Sequence, residues 1–237
     1  MSENDNAAED RRRIELGQHH LVDERVISQI IQSLGINTNE VVLELGSGTG
    51  KITKLISELS GFVHSYEVDP DLFRSTCLNC RDRSNVKLYN SDLFRSNAAE
   101  FDVFFSNLPY SRSKEIIKWL SCHKFRRGVI MVQDEFASKM FSQPGQRNFC
   151  AISVISQYSF ELELIATVPP EAFVPPPQVT SKIIRLIHKN NMLARAGLNK
   201  IELLFHNKRK QLSNSNRNFG NIFVQRTINK NSSRRYH

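Results

Sequence analysis

Val41-Val-Leu-Glu-Leu-Gly-Ser-Gly-Thr-Gly50 constrains the fold more than any other stretch of this chain. Four apolar residues around one acid read as a short buried strand, and three glycines in the next five residues force a tight turn at its end. Helical spacing follows over Thr49 to Leu59, with Ile52, Leu55, Ile56 and Leu59 forming an apolar stripe. A strand, a glycine turn and a helix in that order open a nucleotide-binding α/β unit, because glycine lets the backbone approach a ligand closely. The spacing narrows the ligand. Gly-x-Gly-x-Gly is not the dinucleotide pattern Gly-x-Gly-x-x-Gly, and no Lys-Ser/Thr pair follows Gly50 to make a phosphate loop. Glu44, just before the first glycine, suits a sulfonium or amino group better than a pyrophosphate. The pattern therefore favours S-adenosyl-L-methionine over NAD or ATP.

Strands and helices alternate along the rest of the chain. Asp23 to Leu34 is predicted helical, with Asp23 as N-cap and Gly35 as terminator. Phe62 to Tyr66, Val86 to Tyr89, Val103 to Ser106 and Gly128 to Gln133 read as strands. Pro70 to Cys80, Ser113 to Leu120 and Glu135 to Phe141 read as helices. Leu162 to Val168 and Lys182 to Ile187 are two further strands. This alternation predicts a doubly wound α/β sheet, whose ligands sit outside the carboxyl ends of the strands. Gly46, Glu67, Asp92 and Asn107 all fall at such ends. Glu67 is placed to accept both hydroxyls of a ribose, and Asp92 to accept from an adenine amino group.

Asn107-Leu108-Pro109-Tyr110 follows the apolar run Phe101 to Ser106. An Asn, a Pro and an aromatic at a strand's carboxyl end form a rigid polar claw beside a ring-sized platform. Pro169-Pro170-Glu-Ala-Phe173-Val-Pro175-Pro176-Pro177 is a proline-stiffened connector. Its Phe173 is either a base-stacking wall or a side chain tucked into the core; the sequence leaves both readings open.

Charge divides the chain. From Lys182 onward there are thirteen Lys/Arg and one acid, Glu202, whereas the first 181 residues carry 19 basic and 23 acidic residues. A mildly acidic body with a basic tail is the outline of a nucleic-acid binder; a solubilising tail is the alternative. Leu198 to Leu212 is amphipathic and includes the basic cluster Lys208-Arg209-Lys210. Residues 1–15 are expected to form a flexible arm, 16–189 the main domain, and 190–237 a short basic helical appendage and tail. No run of about 18 apolar residues is present, so no membrane span is expected. Met1 to Arg13 lacks the apolar region of a secretory signal. A cytoplasmic location is expected, with reduced thiols at Cys77, Cys80, Cys122 and Cys150. Cys77-x-x-Cys80 has zinc-ligand spacing but no second pair beside it, so no metal is expected.

These motifs together resemble the small-subunit ribosomal RNA adenine N6-dimethyltransferases. The likeness runs from about Leu16 to Leu212. It is carried by Leu16-Gly17-Gln18-His19-His20-Leu21, Glu44 to Gly50, Tyr66-Glu67-Val-Asp69, Asn107 to Tyr110 and Phe173 to Ser181. Met131 to Glu135, Gln143-Pro-Gly145 and Leu204 to Lys210 match as well. His20 stands where the family usually has Phe, Phe149-Cys150 replaces a common Tyr-Gly, and the C-terminal part is shorter than the family norm. The resemblance implies a Rossmann-like class I methyltransferase sheet, mostly parallel with one antiparallel strand. It implies donor contacts from Gln18, His19, Leu21, Gly46, Gly48, Glu67, Asp92 and Asn107, beside Glu44. It also implies two adjacent adenosines near the 3′ end of small-subunit rRNA as substrate, within a ribosomal subunit precursor, acted on by a monomer.

The residues support a mechanism. An adenine N6 lone pair is delocalised into its ring, so the base must be extruded and its nitrogen reshaped. Tyr110 and Phe173 can stack on it, while the Asn107 side-chain oxygen and the Leu108 carbonyl accept its two N6 hydrogens. Pro109 stiffens the claw, and no general base is needed. The competing readings are a macrolide-resistance-type methyltransferase of large-subunit rRNA, a non-catalytic RNA-binding assembly factor, and a DNA adenine or protein glutamine methyltransferase. The Phe-x-Pro-x-Pro connector and basic tail disfavour the last of these.

Overall fold

A computed structural model describes residues 19–107 and 110–206 of the chain. Its nine strands and seven α-helices alternate through most of their length. In chain order they are β1 (His20–Leu21), α1 (Glu24–Leu34), β2 (Val41–Leu45), α2 (Lys51–Leu59), β3 (Phe62–Tyr66), α3 (Pro70–Asn79), β4 (Val86–Tyr89), β5 (Val103–Ser106), α4 (Ser113–Leu120), β6 (Arg127–Gln133), α5 (Asp134–Phe141), α6 (Ala151–Ser159), β7 (Phe160–Val168), β8 (Phe173–Val174), β9 (Ser181–His188) and α7 (Arg195–His206).

Seven strands form one sheet in the order β4-β3-β2-β5-β6-β9-β7. The first five run parallel, and β9 alone is reversed, pairing antiparallel with both β6 and β7. This is the mostly parallel sheet with one antiparallel strand that the sequence led us to expect. The central strands are apolar on both faces because helices cover both. Leu43, Leu45, Phe104, Ile130 and Ile184 enter one core beneath α4, α5 and α6, whereas Val42, Val63, Phe105, Val129 and Ile183 enter another beneath α1 and α2. Neighbouring residues of a strand point to opposite faces, so the same short segments feed both layers.

Local chemistry sets the helix ends. Asp23 and Asp69 each accept two backbone N–H groups and so cap α1 and α3. Such caps contribute about 1 kcal/mol each. Gly35 ends α1 in the left-handed region at φ 55°, where the Arg127 guanidinium bonds the Leu34 and Gly35 carbonyls.

Two features differ from the expectation. Helix α6 has no counterpart in the sequence reading, and the short β1 pairs with β8 in a separate two-stranded ribbon. Helix α7 joins the main core through Leu198 and Ile201 and is tied to α4 by Lys118 and Lys114 on Glu202. The basic cluster Lys208-Arg209-Lys210 lies outside the described residues. Among those residues no helix is long and apolar enough to cross a membrane.

Candidate active site

Register places the site. Leu45, the last residue of β2, is opposite Tyr66 of β3 on one side and Ser106 of β5 on the other. The next residues along these three strands, Gly46, Glu67 and Asn107, therefore emerge side by side at one edge of the sheet. Adjacent strands stand about 4.8 Å apart, so the three fall within the length of one nucleoside. A cavity opens there. Of the residues nominated from sequence it is lined by His19, Leu21, Glu44, Gly46, Gly48, Glu67, Asn107, Tyr110 and Phe173. Gln18, Leu108 and Pro109 lie outside the described residues.

The glycine turn is bent as its composition requires. Gly46, Gly48 and Gly50 all have positive φ, at 85°, 58° and 83°. At Gly50 packing adds a second demand, since a Cβ would come within 2.9 Å of the Thr76 Cα on α3. The Ser47 and Thr76 hydroxyls meet at 3.0 Å, and Thr76 also donates to the Gly48 carbonyl at 2.9 Å. Helix α3 thus holds the turn from behind.

Glu67 is the best-fixed acid of the site. It is 7% exposed. Its Oε2 accepts the Gly48 N–H at 2.9 Å and its Oε1 accepts the Asp69 N–H at 3.0 Å. Burial pushes its pKa up, and these backbone bonds pull against that rise. Each carboxylate oxygen keeps a second acceptor position for a ligand hydroxyl.

Glu44 lies deeper, wholly buried on β2. Its Oε2 accepts from the Thr53 and Ser65 hydroxyls, both at 2.6 Å, while its Oε1 has no hydrogen-bond partner. Burial raises its pKa to about 7, against the lowering effect of the two hydroxyls; the nearby Glu67 charge adds to the rise. A buried carboxylate oxygen without a donor is costly unless something cationic or protonated meets it.

The opposite wall is aromatic. Tyr110 stacks against His19 at 6.2 Å between ring centroids, and its hydroxyl meets the Ser181 Oγ at 2.6 Å. His19 donates from Nδ1 to the Pro175 carbonyl at 2.8 Å. Through β1 and β8 this pins the N-terminal segment to the proline connector: Leu21 pairs with Phe173, and Val22 donates to the Ala172 carbonyl. The Asn107 side chain lines the cavity and makes no hydrogen bond among the described residues.

Two residues sit otherwise than the sequence suggested. Phe173 is 2% exposed and packs in the core with Leu21, Val26 and Ile27. Of the two readings left open for this position, the structure has the core ring, which also contributes to the cavity lining. The cause is the β1–β8 ribbon, which pairs Leu21 with it across the two strands. Asp92 does not line the cavity. It caps the 3-10 turn Leu93–Arg95 through the Phe94 N–H, and both its oxygens accept from Arg112 Nη2, at 3.3 and 3.1 Å. Arg112 lines the cavity in its place, and nothing in the sequence marks it, because no local pattern links it to an acid twenty residues earlier. Val68 and Leu72, also in the lining, add apolar surface beside Glu67.

The arrangement can hold a nucleoside by its ribose on Glu67, place a cationic group near Glu44, and present an amide oxygen from Asn107 beside an aromatic face at Tyr110.

The family model described as ribosomal RNA adenine dimethylase matches residues 9–235. A protein named probable ribosomal RNA small subunit methyltransferase A, from Methanococcoides burtonii, is 31% identical over 202 residues, covering 84% of this chain and 75% of its own length. The crystal structure of a dimethyladenosine transferase from Plasmodium falciparum matches with a TM-score of 0.74 at 29% identity, over 82% of this chain and 73% of that one. The crystal structure of the 23S rRNA methyltransferase ErmE matches with a TM-score of 0.69 at 24% identity, over 89% and 84% of the two chains, which is a likeness of fold.

Proposed function

The chain belongs to the ribosomal RNA adenine dimethylase family, and from that premise we propose that it transfers methyl groups from S-adenosyl-L-methionine to N6 of adenosines in small-subunit ribosomal RNA, two to each base. The observation that carries this reading is the placement of Glu67 and Asn107 at the ends of two strands flanking the glycine turn, in one cavity. One residue suits a ribose diol and the other an exocyclic amine.

The residues fit such a donor. Glu67 is oriented by two backbone N–H groups and still has an acceptor position on each oxygen. The partnerless Oε1 of Glu44 suits the amino group of the methionine moiety, directly or through water. Val68 and Leu72 provide apolar surface for a purine. The donor supplies an electrophilic methyl on a sulfonium, so correct placement of the acceptor nitrogen provides much of the rate.

The chain's own residues act on the acceptor. An adenine leaving its stack for a pocket costs a few kcal/mol, and stacking on an aromatic ring returns about 1–3 kcal/mol. Tyr110 offers that ring, held in place by His19 and Ser181. The Asn107 carbonyl oxygen accepts one N6–H, and the Leu108 backbone carbonyl accepts the other. Both bonds favour a pyramidal nitrogen whose lone pair points at the methyl group. Once alkylated, the nitrogen is acidic enough to lose its proton to water, and no side-chain base is required. Gln18, His19 and Leu21 close the donor side, and Pro109 stiffens the claw. The enzyme works as a monomer in the cytoplasm, on rRNA within a small-subunit precursor. Residues 1–15 serve as an arm, 16–189 as the catalytic domain and 190–237 as the basic appendage.

Incubation with labelled donor and purified small and large ribosomal subunits tests this reading. Label recovered as N6-dimethyladenosine near the 3′ end of the small-subunit rRNA is the expected result. Label in the large subunit alone would assign the enzyme to the other substrate. No label in either would remove the catalytic reading.

A further inference from the structure

A second cleft, which has no part in the transfer chemistry, lies beside the residue that anchors Tyr110. Its volume is about 300 Å³, and it is lined by Gln133, Asp134, Glu135, Val179 and Thr180. That is the lower end of the range for small-ligand sites. Register ties it to the first cavity. Gln133, the last residue of β6, is paired with Ser181 of β9, and the Ser181 Oγ meets the Tyr110 hydroxyl at 2.6 Å. Opposed residues of an antiparallel pair have Cα atoms about 5 Å apart, so Gln133 stands next to the group that fixes Tyr110. Orientation agrees with position. Val129 and Met131 of β6 enter the core beneath α1 and α2, and alternation sends Gln133 to that same face. Val103 and Phe105 of β5 enter that core too, which carries Asn107 to the same side. The amides of Asn107 and Gln133 therefore share one face at the carboxyl ends of neighbouring strands.

The chemistry of the cleft suits a base and not a phosphate. Asp134 lies 3.5 Å from Lys182 and Glu135 2.7 Å from Lys139, so the nearby cations are already matched by carboxylates that repel an anion. Val179, 41% exposed, offers an apolar surface for a ring. The Gln133 side chain makes no hydrogen bond among the described residues. Its amide carries an acceptor and a donor side by side, the pattern that matches the 6-amino group and N7 of adenine. We infer that this cleft holds the base next to the extruded adenosine, and that Gln133 reads it as adenine. The Gln133 Oε1 accepts from the 6-amino group and its Nε2 donates to N7, with the ring laid against Val179. This inference rests on the reading that the substrate is small-subunit rRNA carrying adjacent adenosines. Asn107 then acts on the reacting base, and Gln133 selects its neighbour.

The test uses small-subunit particles assembled with a synthetic 3′ hairpin of the rRNA. One target adenosine is flanked on both sides by adenosine, by purine riboside, which lacks the 6-amino group, or by 7-deazaadenosine, which lacks N7. Methyl transfer to the central position alone is read by nuclease digestion and mass spectrometry, for the wild type, Gln133→Ala and Gln133→Glu. In the wild type kcat/KM is expected to fall about tenfold with either analogue. Gln133→Ala brings the three particles within about twofold of one another, chiefly by slowing the adenosine-flanked one. Gln133→Glu keeps an acceptor but has no donor for N7, so it retains the preference over purine riboside and loses that over 7-deazaadenosine. Each preference is a ratio measured on one protein, so loss of folded material does not mimic the effect. The inference is overturned if the wild type treats the three particles alike, or if Gln133→Ala keeps the wild-type preferences. It is overturned equally if that variant slows all three by the same factor, which would make Gln133 a structural residue at the start of α5. A wild type that methylates none of the particles, the adenosine-flanked one included, sinks the small-subunit reading itself, an outcome separate from these.

Discussion

The proposed donor side and the proposed acceptor side of the cavity are built differently. On the donor side the functional groups are carboxylates, and each is held by groups that belong to the sheet or to its first turns. Glu67 is held by two backbone N–H groups, and Glu44 by two hydroxyls from α2 and β3. On the acceptor side the groups are rings and an amide, held by few bonds and mostly by each other: Tyr110 by His19 and Ser181, His19 by Pro175, and Phe173 by the core. Charges in a poorly solvated cleft must be fixed by hydrogen bonds or they shift their pKa and neutralise. Rings need only contact and shape. A donor of constant structure suits the first kind of wall. A base delivered on a large RNA suits the second, whose parts come from three separate segments of chain.

That contrast predicts effects of different kinds. The largest concerns Phe173. Because it is a core side chain, Phe173→Ala is expected to cost about 3–5 kcal/mol of stability, as deletion of a buried aromatic does. Thermal or urea unfolding measures it. A variant of wild-type stability with lost methyl transfer would restore the open stacking wall and reverse the structural account.

Asn107 comes next. In the proposed mechanism its amide acts on the reacting nitrogen, so Asn107→Ala should lower methyl transfer about 10²–10³-fold, the range typical for loss of one well-placed hydrogen-bonding group in an active site. Donor affinity should stay within about threefold of wild type, because the bond forms to the acceptor base. Single-turnover rates with saturating donor separate the two quantities, and an unchanged rate contradicts the role.

Glu67→Ala should show the converse. Removal of a fixed charged acceptor from a ribose diol weakens donor binding about ten- to a hundredfold. It also strands the Gly48 and Asp69 N–H groups, so Glu67→Gln serves as a milder partner. Calorimetry that returns wild-type affinity for both variants excludes the ribose contact.

The two walls are also unequally legible in the sequence. Gly46, Glu67 and Asn107 align from local pattern alone because each follows a short apolar strand, and parallel strands bring their carboxyl ends to one edge. The glycine spacing and the acid before it carry the expectation about the class of ligand. The acceptor wall depends instead on contacts between distant segments. Nothing local shows that His20-Leu21 pairs with Phe173-Val174, yet that pairing decides that Phe173 is buried. The Arg112–Asp92 pair is hidden for the same reason. Helix α6 is hidden for a different one. Ala151-Ile-Ser-Val-Ile-Ser-Gln-Tyr-Ser159 mixes β-branched residues and serines, which are weak helix formers, and lacks a polar face. Burial overrides that weak preference: Ile152, Ile155 and all three serines are inside, and Ser153 donates to the Lys139 carbonyl at 2.6 Å.

The smallest expected effect lies in the pH response of Glu44. Burial raises its pKa to about 7. An acid with a raised folded-state pKa binds more protons folded than unfolded between its ordinary value and 7. Its contribution to stability is therefore greatest on the acid side and is lost as pH rises through 7. Binding of a cationic amino group has the opposite dependence, because it requires the ionised carboxylate. Below pH 7 each bound donor must expel a proton, so affinity falls about tenfold per unit; above pH 7 it levels off. Between pH 8 and pH 6 the donor should bind about tenfold more weakly. Glu44→Gln should flatten both trends while keeping hydrogen-bonding capacity toward Thr53 and Ser65. Calorimetry across that range, repeated in buffers of different ionisation enthalpy to count protons, measures it directly. A proton count of zero at pH 6 in the wild type would mean that Glu44 stays neutral beside the donor, and that the amino group is met elsewhere in the cavity.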